Sequence, residues 1–482
     1  MNVLFIYPLS YCSLKGSSFA ASSIHLGISY ISAILKEYGH KTELLVLSRY
    51  SGRKNLDLID NCVKKFSPGL ICFTSIFSEY FFSTGMAGYI KSRYPNIYLL
   101  IGGPHVSLNP DNVLSDAFDA LCIGEGEYPV LELVSCLEKG RLPSGIPNLW
   151  IKQPGGIEKN NTRPFLEKIS ELPFPDRQIW DAWTRPRGTT YSVILGRGCP
   201  FQCTYCSNHA LRKIAPGNYV RFRSPDNIIE EIREMSLTLP IKGKIFLEVE
   251  TIAVNKEWAM ELCAKLETFN SALKQPLTFG TNVRIVPGAD LNSLFAAMRK
   301  CNIELINFGL ESGSEKLRRE VLKRDYSNQD VIDTVKLARK HKLKIGFYNM
   351  VGIPGETAAE FRETVRINRR CLPDWYNTYI FCPYPGTVLH HFCSQQAMLK
   401  TPLNDDMERQ HAVLDFPGAS RRQINKRFVW FGYHVYKGHR PLYKILKTVF
   451  ILRLRIIASF LILFNNDKFI KRLRKNYEQS PA

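Results

Sequence analysis

Short apolar runs alternate with helical patterns along the first third of the chain. Residues 2–7 form an apolar run typical of a strand, and a helical pattern over 26–38 follows and ends at Gly39. The alternation continues with apolar runs at 41–47, 70–74, 97–101 and 120–123 and a helical pattern near 84–93. Strands and helices in turn predict a doubly wound parallel sheet, an α/β fold that binds ligands at the carboxyl ends of its strands. We expect this first domain to cover residues 1–145.

The middle of the chain returns to the same alternation after a connecting segment. Periodicity fades over 146–187, where six prolines indicate a linker. Strand-like runs then recur over 188–395, at 192–195, 244–250, 281–284, 306–313 and 346–355. Such repeats predict a partial barrel whose active site is built from loops at the carboxyl ends of the strands. The remaining residues, 396–482, are predicted to form a basic and apolar helical region.

The positive charge is concentrated in the last part of the chain. The formal net charge is +20, and residues 421–482 hold 15 Lys or Arg against two acids, a net charge of +13. The first 420 residues are therefore nearly balanced, which argues against a surface-wide groove for nucleic acid, and we expect no nucleic-acid partner. Thirteen cysteines without a signal-peptide pattern indicate a reducing cytoplasm rather than a secreted disulfide scaffold.

The tail contains the most apolar segment of the chain, residues 449–464. Arg453 and Arg455 interrupt it and leave nine uncharged residues over 456–464, well below the roughly 20 that span a bilayer. Three roles stay open for this segment: a helix on an anionic lipid surface, a helix that caps the barrel, and an RNA contact. We expect a cytoplasmic protein whose tail is the candidate for peripheral contact with the inner face of the membrane.

Three cysteines stand at the end of the first predicted barrel strand. Cys199, Cys203 and Cys206 are spaced C-x3-C-x2-C, and three thiolates suit an iron-sulfur cluster with one open corner. A disulfide pair with a spare thiol and a zinc site without its fourth ligand are the alternatives. With Tyr205 before the third cysteine, the motif resembles the signature of the radical S-adenosylmethionine (SAM) enzymes. The resemblance implies a [4Fe-4S] cluster whose open iron is chelated by SAM, and cleavage of SAM to a 5'-deoxyadenosyl radical.

Two glycine-rich turns follow apolar runs of the first domain. Gly-Gly-Pro-His begins at Gly102 and Gly-Glu-Gly-Glu begins at Gly124, so backbone can approach a ligand at both turns. In this order ahead of the cysteines, they resemble the cobalamin-binding domain of one large branch of the radical SAM family. The resemblance covers roughly residues 1–395 and implies a Rossmann-like (flavodoxin-like) cobalamin (B12) domain, a partial TIM barrel and a helical extension. It implies cobalamin contacts from Ser75, Gly102, Gly103, His105, Gly124, Glu125, Gly126 and Glu127.

One familiar cobalamin feature is missing from this domain. No histidine has an aspartate two residues before it, so cobalt would lack the histidine ligand of the D-x-H-x2-G motif. His25 and His105 lie in nearby loops, and a loop histidine satisfied by backbone is the alternative to a cobalt ligand for each.

The turns at the later strand ends carry both polar and apolar residues. SAM binding requires polar groups near the ribose and the amino acid and an apolar slot for adenine, and these turns can supply them. The resemblance implies SAM contacts from Tyr205, Arg284, Glu311, Ser312, Ile353 and Pro354. Within this set Glu311 and Ser312 would face the ribose or amino acid, and Arg284 the carboxylate. A surface carboxylate and a structural ion pair are the alternatives for Glu311 and Arg284. Glu248-Val249-Glu250 departs from the two adjacent acids of this branch, and no catalytic residue is assigned.

Taken together, the resemblance implies a cobalamin-dependent radical SAM methyltransferase that acts on an unactivated carbon of a small-molecule or lipid-like substrate. A flavodoxin or ferredoxin is the expected reductant. Cyclisation or rearrangement chemistry of the same branch, modification of RNA or protein, and a non-catalytic peripheral membrane scaffold are the alternatives. An intact cysteine triad argues against the scaffold, because a scaffold does not need exposed thiolates.

Overall fold

Two sheets built mainly of parallel strands dominate the computed structural model. The structure describes residues 1–9, 24–113, 117–184, 191–238, 244–399, 408–454, 456–457 and 461. The end of the apolar tail segment and the basic residues that follow it lie outside these ranges.

The first sheet has seven strands in the order β2-β1-β3-β4-β5-β6-β7. Its strands are β1 Asn2–Leu9, β2 Lys41–Ser48, β3 Leu70–Thr74, β4 Tyr98–Gly102, β5 Ala120–Cys122, β6 Leu149–Gln153 and β7 Gly156–Lys159. The first five pair in parallel, and β6 and β7 pair antiparallel at the edge. Its helices are α1 Leu26–Glu37, α2 Lys54–Phe66, α3 Phe77–Arg93, α4 Pro104–Leu108, α5 Pro110–Val113 and α6 Glu127–Glu138. Separate apolar cores cover its two faces, which confirms the doubly wound prediction.

The second sheet has six strands, all parallel, in the order β15-β14-β13-β12-β11-β8. Its strands, with a small β9–β10 ribbon, are β8 Tyr191–Ile194, β9 Gly196–Arg197, β10 Arg221–Phe222, β11 Lys244–Glu248, β12 Thr278–Val283, β13 Ile303–Glu311, β14 Lys344–Val351 and β15 Trp375–Ile380. The helices of this part are α7 Asn208–Leu211, α8 Pro225–Thr238, α9 Lys256–Ser271, α10 Leu291–Lys300, α11 Asn328–Lys340, α12 Ala358–Cys371, α13 Val388–Gln395 and α14 Arg421–Tyr436. Each strand lies beside the one before it, which is the arrangement of a partial (β/α) barrel and confirms that prediction.

The segment between the two sheets packs on the first domain. Its β6 and β7 extend the first sheet beyond residue 145, and the Trp180 side chain is fully buried in the core on the α1 face. The Trp180 indole donates a hydrogen bond to Ser29 Oγ at 2.9 Å, and Ser32 Oγ donates to Asp176 at 2.6 Å. These contacts attach the predicted linker to α1, while the domain boundaries at 145 and 188 stay predictions.

The tail begins as a helix that covers the barrel. Ser420 caps α14 in a reciprocal box with Gln423, and the apolar face of α14 is buried against β15 and α12. Tyr436 Oη donates to Pro373 O at 3.0 Å, which ties the end of α14 to the barrel. None of the helices in the described ranges has the length and hydropathy needed to cross a bilayer.

We expect Trp180→Ala to lower the free energy of unfolding by about 3 to 5 kcal/mol, because the change leaves a cavity and an unpaired Ser29 hydroxyl. Denaturant unfolding of the full chain measures this. Tyr38→Ala is the control, since the Tyr38 side chain is 62% exposed and should change stability by about 0.5 kcal/mol or less. Equal effects of the two substitutions would show that the segment does not support the first domain.

Candidate active site between the two domains

The three cysteines lie on the loop that follows β9 at the carboxyl end of the first barrel strand. All three are free thiols, and burial raises the pKa of Cys199 and Cys206, with the nearby Cys203 adding to both shifts. The Arg284 guanidinium stacks over the Phe201 ring at 3.7 Å and donates from Nη1 to Cys203 Sγ at 2.9 Å. A group of close, unbridged thiols beside a cation fits an anionic thiolate-bound cluster.

This arrangement differs from a site for a single metal ion. In the described residues no three His, Cys, Asp or Glu side chains are grouped to hold one ion. A cubane cluster binds each cysteine through a separate iron, so the thiols need to be neighbours without meeting at one point. The structure therefore offers no support for the zinc alternative within the ranges that it describes.

Tyr205 and Glu311 belong to one buried hydrogen-bond network. Tyr205 Oη donates to Glu311 Oε1 at 3.1 Å, and Arg324 Nη1 lies 2.7 Å from Tyr205 Oη and 3.2 Å from Glu311 Oε1. Burial raises the pKa of Glu311, although Arg324 opposes the shift. The Glu311 backbone has a φ of 59°, a left-handed conformation that a non-glycine residue adopts at a cost. Glu311 is thus held in place by the fold, and the surface-carboxylate alternative for it is wrong.

The other predicted SAM residues are more deeply packed. Ser312 is fully buried, and its hydroxyl accepts from Ser314 N at 3.2 Å. Ile353 and Pro354 are buried in the turn after β14, where Gly352 N donates to Glu356 at 2.9 Å. The roles of all six residues toward SAM stay predictions.

A cavity of about 380 Å³ lies between the first sheet and the cysteine loop. Its lining comes from both domains and includes six of the eight predicted cobalamin residues, which are Gly102, Gly103, Gly124, Glu125, Gly126 and Glu127. Ser75 and His105 do not line it. Gly103 has a φ of +104°, and a Cβ there would lie 2.7 Å from Ser75 O. Only glycine fits this turn, so the ligand would meet bare backbone.

The two histidines near this cavity are neutral at ordinary pH. Burial lowers the pKa of both His25 and His105 to about 4. His25 lines the cavity, but its Nδ1 accepts from Ile28 N at 3.2 Å as the cap of α1. His105 packs between the Phe77 and Tyr80 rings. His25 therefore matches the alternative of a histidine satisfied by backbone, whereas His105 lies in α4 and contacts aromatic rings.

Glu125 and Glu127 form ion pairs that cross between the domains. Arg197, two residues before Cys199, reaches Glu125 at 2.9 Å and Glu127 at 2.6 Å, and Arg221 reaches Glu125 at 3.0 Å. Burial raises the pKa of Glu125, but Arg197 and Arg221 together bring it below its usual value. The acidic residues of Gly-Glu-Gly-Glu are therefore bound to the radical-domain side of the site, and the glycines remain free to face a ligand.

Family models match both parts of the chain. The Radical SAM superfamily model covers residues 193–367, and the B12 binding domain model covers residues 16–134. The chain is a radical SAM enzyme with a B12-binding domain. Its cofactor classes, a [4Fe-4S] cluster, SAM and cobalamin, are confirmed at the level of this family. Which residues hold each cofactor stays a prediction.

Relatives of the radical SAM enzyme include methyltransferases and a cyclase. An uncharacterized methyltransferase of Pyrococcus horikoshii is 26% identical over 406 residues, covering 83% of this chain and 85% of the relative. The anaerobic magnesium-protoporphyrin IX monomethyl ester cyclase of Rubrivivax gelatinosus is 24% identical over 464 residues, covering 91% and 80%. The solved structure of the methyltransferase TsrM from Kitasatospora setae, with cobalamin and a [4Fe-4S] cluster bound, superposes with a TM-score of 0.66. It is 13% identical and covers 99% of this chain and 100% of TsrM, which shows a shared fold.

Three arginines of the site were not identified from the sequence. Arg197 and Arg221 pair with Glu125, and Arg324 pairs with Tyr205 and Glu311. The position of Arg197 just before the cysteine motif was the one signal available for it. Nothing in the spacing of Arg221 or Arg324 marks either as part of the site.

The ion pairs between the domains should be energetically coupled. We expect Arg197→Met to lower the free energy of unfolding by about 3 kcal/mol or more, because Glu127 is left as a buried charge without its partner. Glu127→Met should lower it by less, because Arg197 keeps its ion pair with Glu125. The double variant should lose at least about 1 kcal/mol less than the sum of the single losses. Denaturant unfolding of the four proteins measures the coupling.

The exposed pair Lys265 and Asp226 provides the matched control, with 34% and 80% of the side chains accessible. Its coupling should not exceed about 0.5 kcal/mol. Strictly additive losses at Arg197 and Glu127 would contradict the proposed coupling.

Proposed function

We propose that this protein is a cobalamin-dependent methyltransferase that acts on an unactivated carbon of a small-molecule or lipid-like substrate. The observation that supports this proposal is the cavity beside the cysteine loop, which both domains line. Arg197 lines it two residues before Cys199, and the Gly124 turn of the first domain forms the facing wall. A reaction in which one cofactor would remove hydrogen from a substrate carbon and the other would give it a methyl group requires such proximity, because both must reach the same carbon.

Different residues of the chain would hold each of the three cofactors. Cys199, Cys203 and Cys206 would hold the cluster, with Arg284 balancing the charge on Cys203. Tyr205, Glu311, Ser312, Ile353 and Pro354 would line the SAM site, and the glycines at 102, 103, 124 and 126 would let cobalamin approach the backbone. The cofactors supply the methyl group and the radical, while the protein orients the reactants and limits access of water.

Cyclisation is the second candidate. The cyclase of Rubrivivax gelatinosus matches 91% of this chain at 24% identity, close to the identity of the methyltransferase relative. Both reactions would begin with the same cleavage of SAM and need the same reductant, for which we propose a flavodoxin or ferredoxin in the cytoplasm. Analysis of the product distinguishes the two reactions, because only methylation adds one carbon.

We expect anaerobically purified protein to contain about four irons per chain, and to form 5'-deoxyadenosine from SAM under reductant. Protein supplied with cobalamin should also retain about one cobalamin per chain. Cys203→Ala should lose iron and deoxyadenosine formation together, because the cluster loses a ligand. Metal analysis and chromatography of the products measure these outcomes.

Cys136→Ala is the control, since Cys136 is a partly buried cysteine of α6, far along the chain from the triad. Retained iron in Cys203→Ala would refute the ligand assignment. Iron without cobalamin in the wild-type protein would refute methyl transfer through cobalt.

We further propose that the helical stretch 442–454 after α14 contacts anionic lipid at a membrane surface. Its exposed apolar side chains are Leu442, Tyr443, Leu446, Phe450, Ile451 and Leu454. Lys444, Lys447 and Arg453 lie among them, and no acidic residue occurs over 441–466. Exposed apolar groups beside cations match the hydrocarbon and the charge of an anionic bilayer.

Phe450→Ser with Leu454→Ser should weaken binding of the full chain to phosphatidylserine-containing vesicles by about tenfold or more, because two apolar side chains no longer enter the bilayer. Flotation with such vesicles and with pure phosphatidylcholine vesicles measures this. Tyr38→Ser, a change at an exposed aromatic of the first domain, serves as the control. Unchanged flotation of the double variant would exclude the stretch as the contact.

A further inference from the structure

A single register row of polar side chains crosses the second sheet. Leu247 pairs with Thr281, so the next residues along, Glu248 and Asn282, are neighbours on β11 and β12. The same row continues through pairs that join Asn282 to Asn307, Asn307 to Gly346 and Gly346 to Trp375. One row therefore carries a carboxylate, two amides, a glycine and an indole, contributed by five adjacent strands.

This row faces the inside of the barrel. The residues that alternate with it, including Leu247, Phe308 and Phe347, are fully buried in the core beneath the helices. Because side chains of a strand point to opposite faces in turn, the row occupies the inner face. Glu248 and Trp375 nevertheless keep partial solvent exposure. Solvent therefore reaches the row at these two residues, on β11 and β15, while Asn307 between them is buried.

Several polar groups of the row have no partner. Asn307 is 3% exposed, its amide nitrogen donates to Asn282 at 3.4 Å, and its Oδ1 accepts from no donor in the described residues. Trp375 Nε1 is buried without an acceptor there. The Glu248 backbone oxygen accepts from Leu195 N at 2.9 Å, but no hydrogen bond or ion pair reaches the Glu248 carboxylate from the part of the chain that the structure describes. Buried polar groups are normally satisfied, so these atoms indicate a missing binding partner.

The unpaired atoms lie around one position of β14. A Cβ added to Gly346 would lie 2.4 Å from Trp375 Nε1 and 2.5 Å from Asn307 Oδ1. Both atoms therefore converge over this glycine, and any other residue at this position would displace them. The Asn307 oxygen can accept a hydrogen bond from a donor of a ligand at this position, and the Trp375 ring borders it.

Aromatic rings form the wall beside the row. The Tyr348 ring meets Trp375 edge-on with centroids 5.4 Å apart, and it stacks with Tyr379 at 6.5 Å. The Glu248 charge contributes to the raised pKa of Tyr348, after burial, which places the carboxylate near this wall. Aromatic faces favour planar groups and cations, and a carboxylate favours a cation. Burial, with the charge of Glu250 added, raises the pKa of Glu248 to about 7, as expected for a carboxylate that lacks a cationic partner.

We propose that Glu248 and Asn307, with the Trp375 ring beside them, form a substrate subsite for a nitrogen-bearing group, an ammonium or a ring N–H, that is joined to a planar apolar body. This subsite rests on the proposed function, because it names the substrate class of the same enzyme. A hydrocarbon lipid would leave the carboxylate and the amide oxygen unpaired. A nitrogen group supplies the donors that both acceptors lack, and the planar body would pack against the aromatic wall that contains Tyr348.

Tryptamine and tryptophol test the subsite, since they share an indole and differ only in an ammonium or a hydroxyl group. We expect the reconstituted full-length protein to bind tryptamine at least about tenfold more tightly than tryptophol in calorimetric titrations. Glu248→Gln should reduce this preference to within about threefold, because the variant keeps the shape and removes the charge. Glu234→Gln, a change at an exposed carboxylate of α8, should keep the wild-type preference.

Asn307→Asp gives a second variant with the opposite expectation. It adds a carboxylate to the row, so the preference for tryptamine should exceed that of the wild type. Melting temperatures of all variants report whether each is folded. Equal binding of the two probes by the wild type, no binding of tryptamine, or an unchanged preference in Glu248→Gln would overturn the proposal.

Dodecanoate provides the lipid comparison, and its binding more tightly than tryptamine would also overturn the nitrogen-bearing class. Iron content and deoxyadenosine formation are measured on the same preparations. These two quantities test the proposed radical chemistry independently of the probes, so failure of the subsite and failure of the proposed function give different results.

Discussion

The ion pairs among Glu125, Glu127, Arg197 and Arg221 join the two halves of the site. Arg197 donates to both glutamates, and Arg221 donates to Glu125 and to Leu166 O at 2.8 Å. Most of each side chain is removed from solvent, so the charges interact through a medium of lower dielectric constant than water. Loss of either partner would leave a buried charge unpaired, and this cost opposes any separation of the cysteine loop from the first domain.

The consequences of this contact extend to both cofactor regions. Because Arg197 lies two residues before Cys199, the contact sets where the cluster loop begins relative to the Gly124 turn. The loop is fixed at its other end as well, since Thr204 Oγ1 donates to Val321 O at 2.6 Å. The cavity between the domains thus has one wall from the first sheet and another from a loop held at two points. A preorganised wall suits chemistry in which reactive groups must be aligned before they react.

The inner face of the barrel differs in composition from the interface between the two domains, where ion pairs predominate. Its register row combines a carboxylate, an amide and an indole, and the aromatic wall beside it is built from β14 and β15. The first domain and the cysteine loop carry the residues that are predicted to hold the cofactors. Val249, between Glu248 and Glu250, packs in the apolar core beneath the helices and does not belong to the inner row.

Local patterns of the sequence determined the alternation of strands and helices and the partial barrel, and they predict the three cysteine ligands. The cysteines fall within eight consecutive residues, and a spacing so short constrains their geometry wherever the loop lies. The two glycine-rich turns were also recognisable, because each follows a buried strand directly and needs backbone that side chains would obstruct.

Tertiary structure alone decided which charges meet. Arg197 pairs with acids 72 and 70 positions away, and Arg324 reaches Tyr205 across 119 positions. It also decided that Asn307, Gly346 and Trp375 share one row, because strand register depends on how whole helices pack behind the sheet. Periodicity along the chain describes which face of an element is apolar, whereas partners across a sheet or a domain boundary follow from packing that involves distant residues at once.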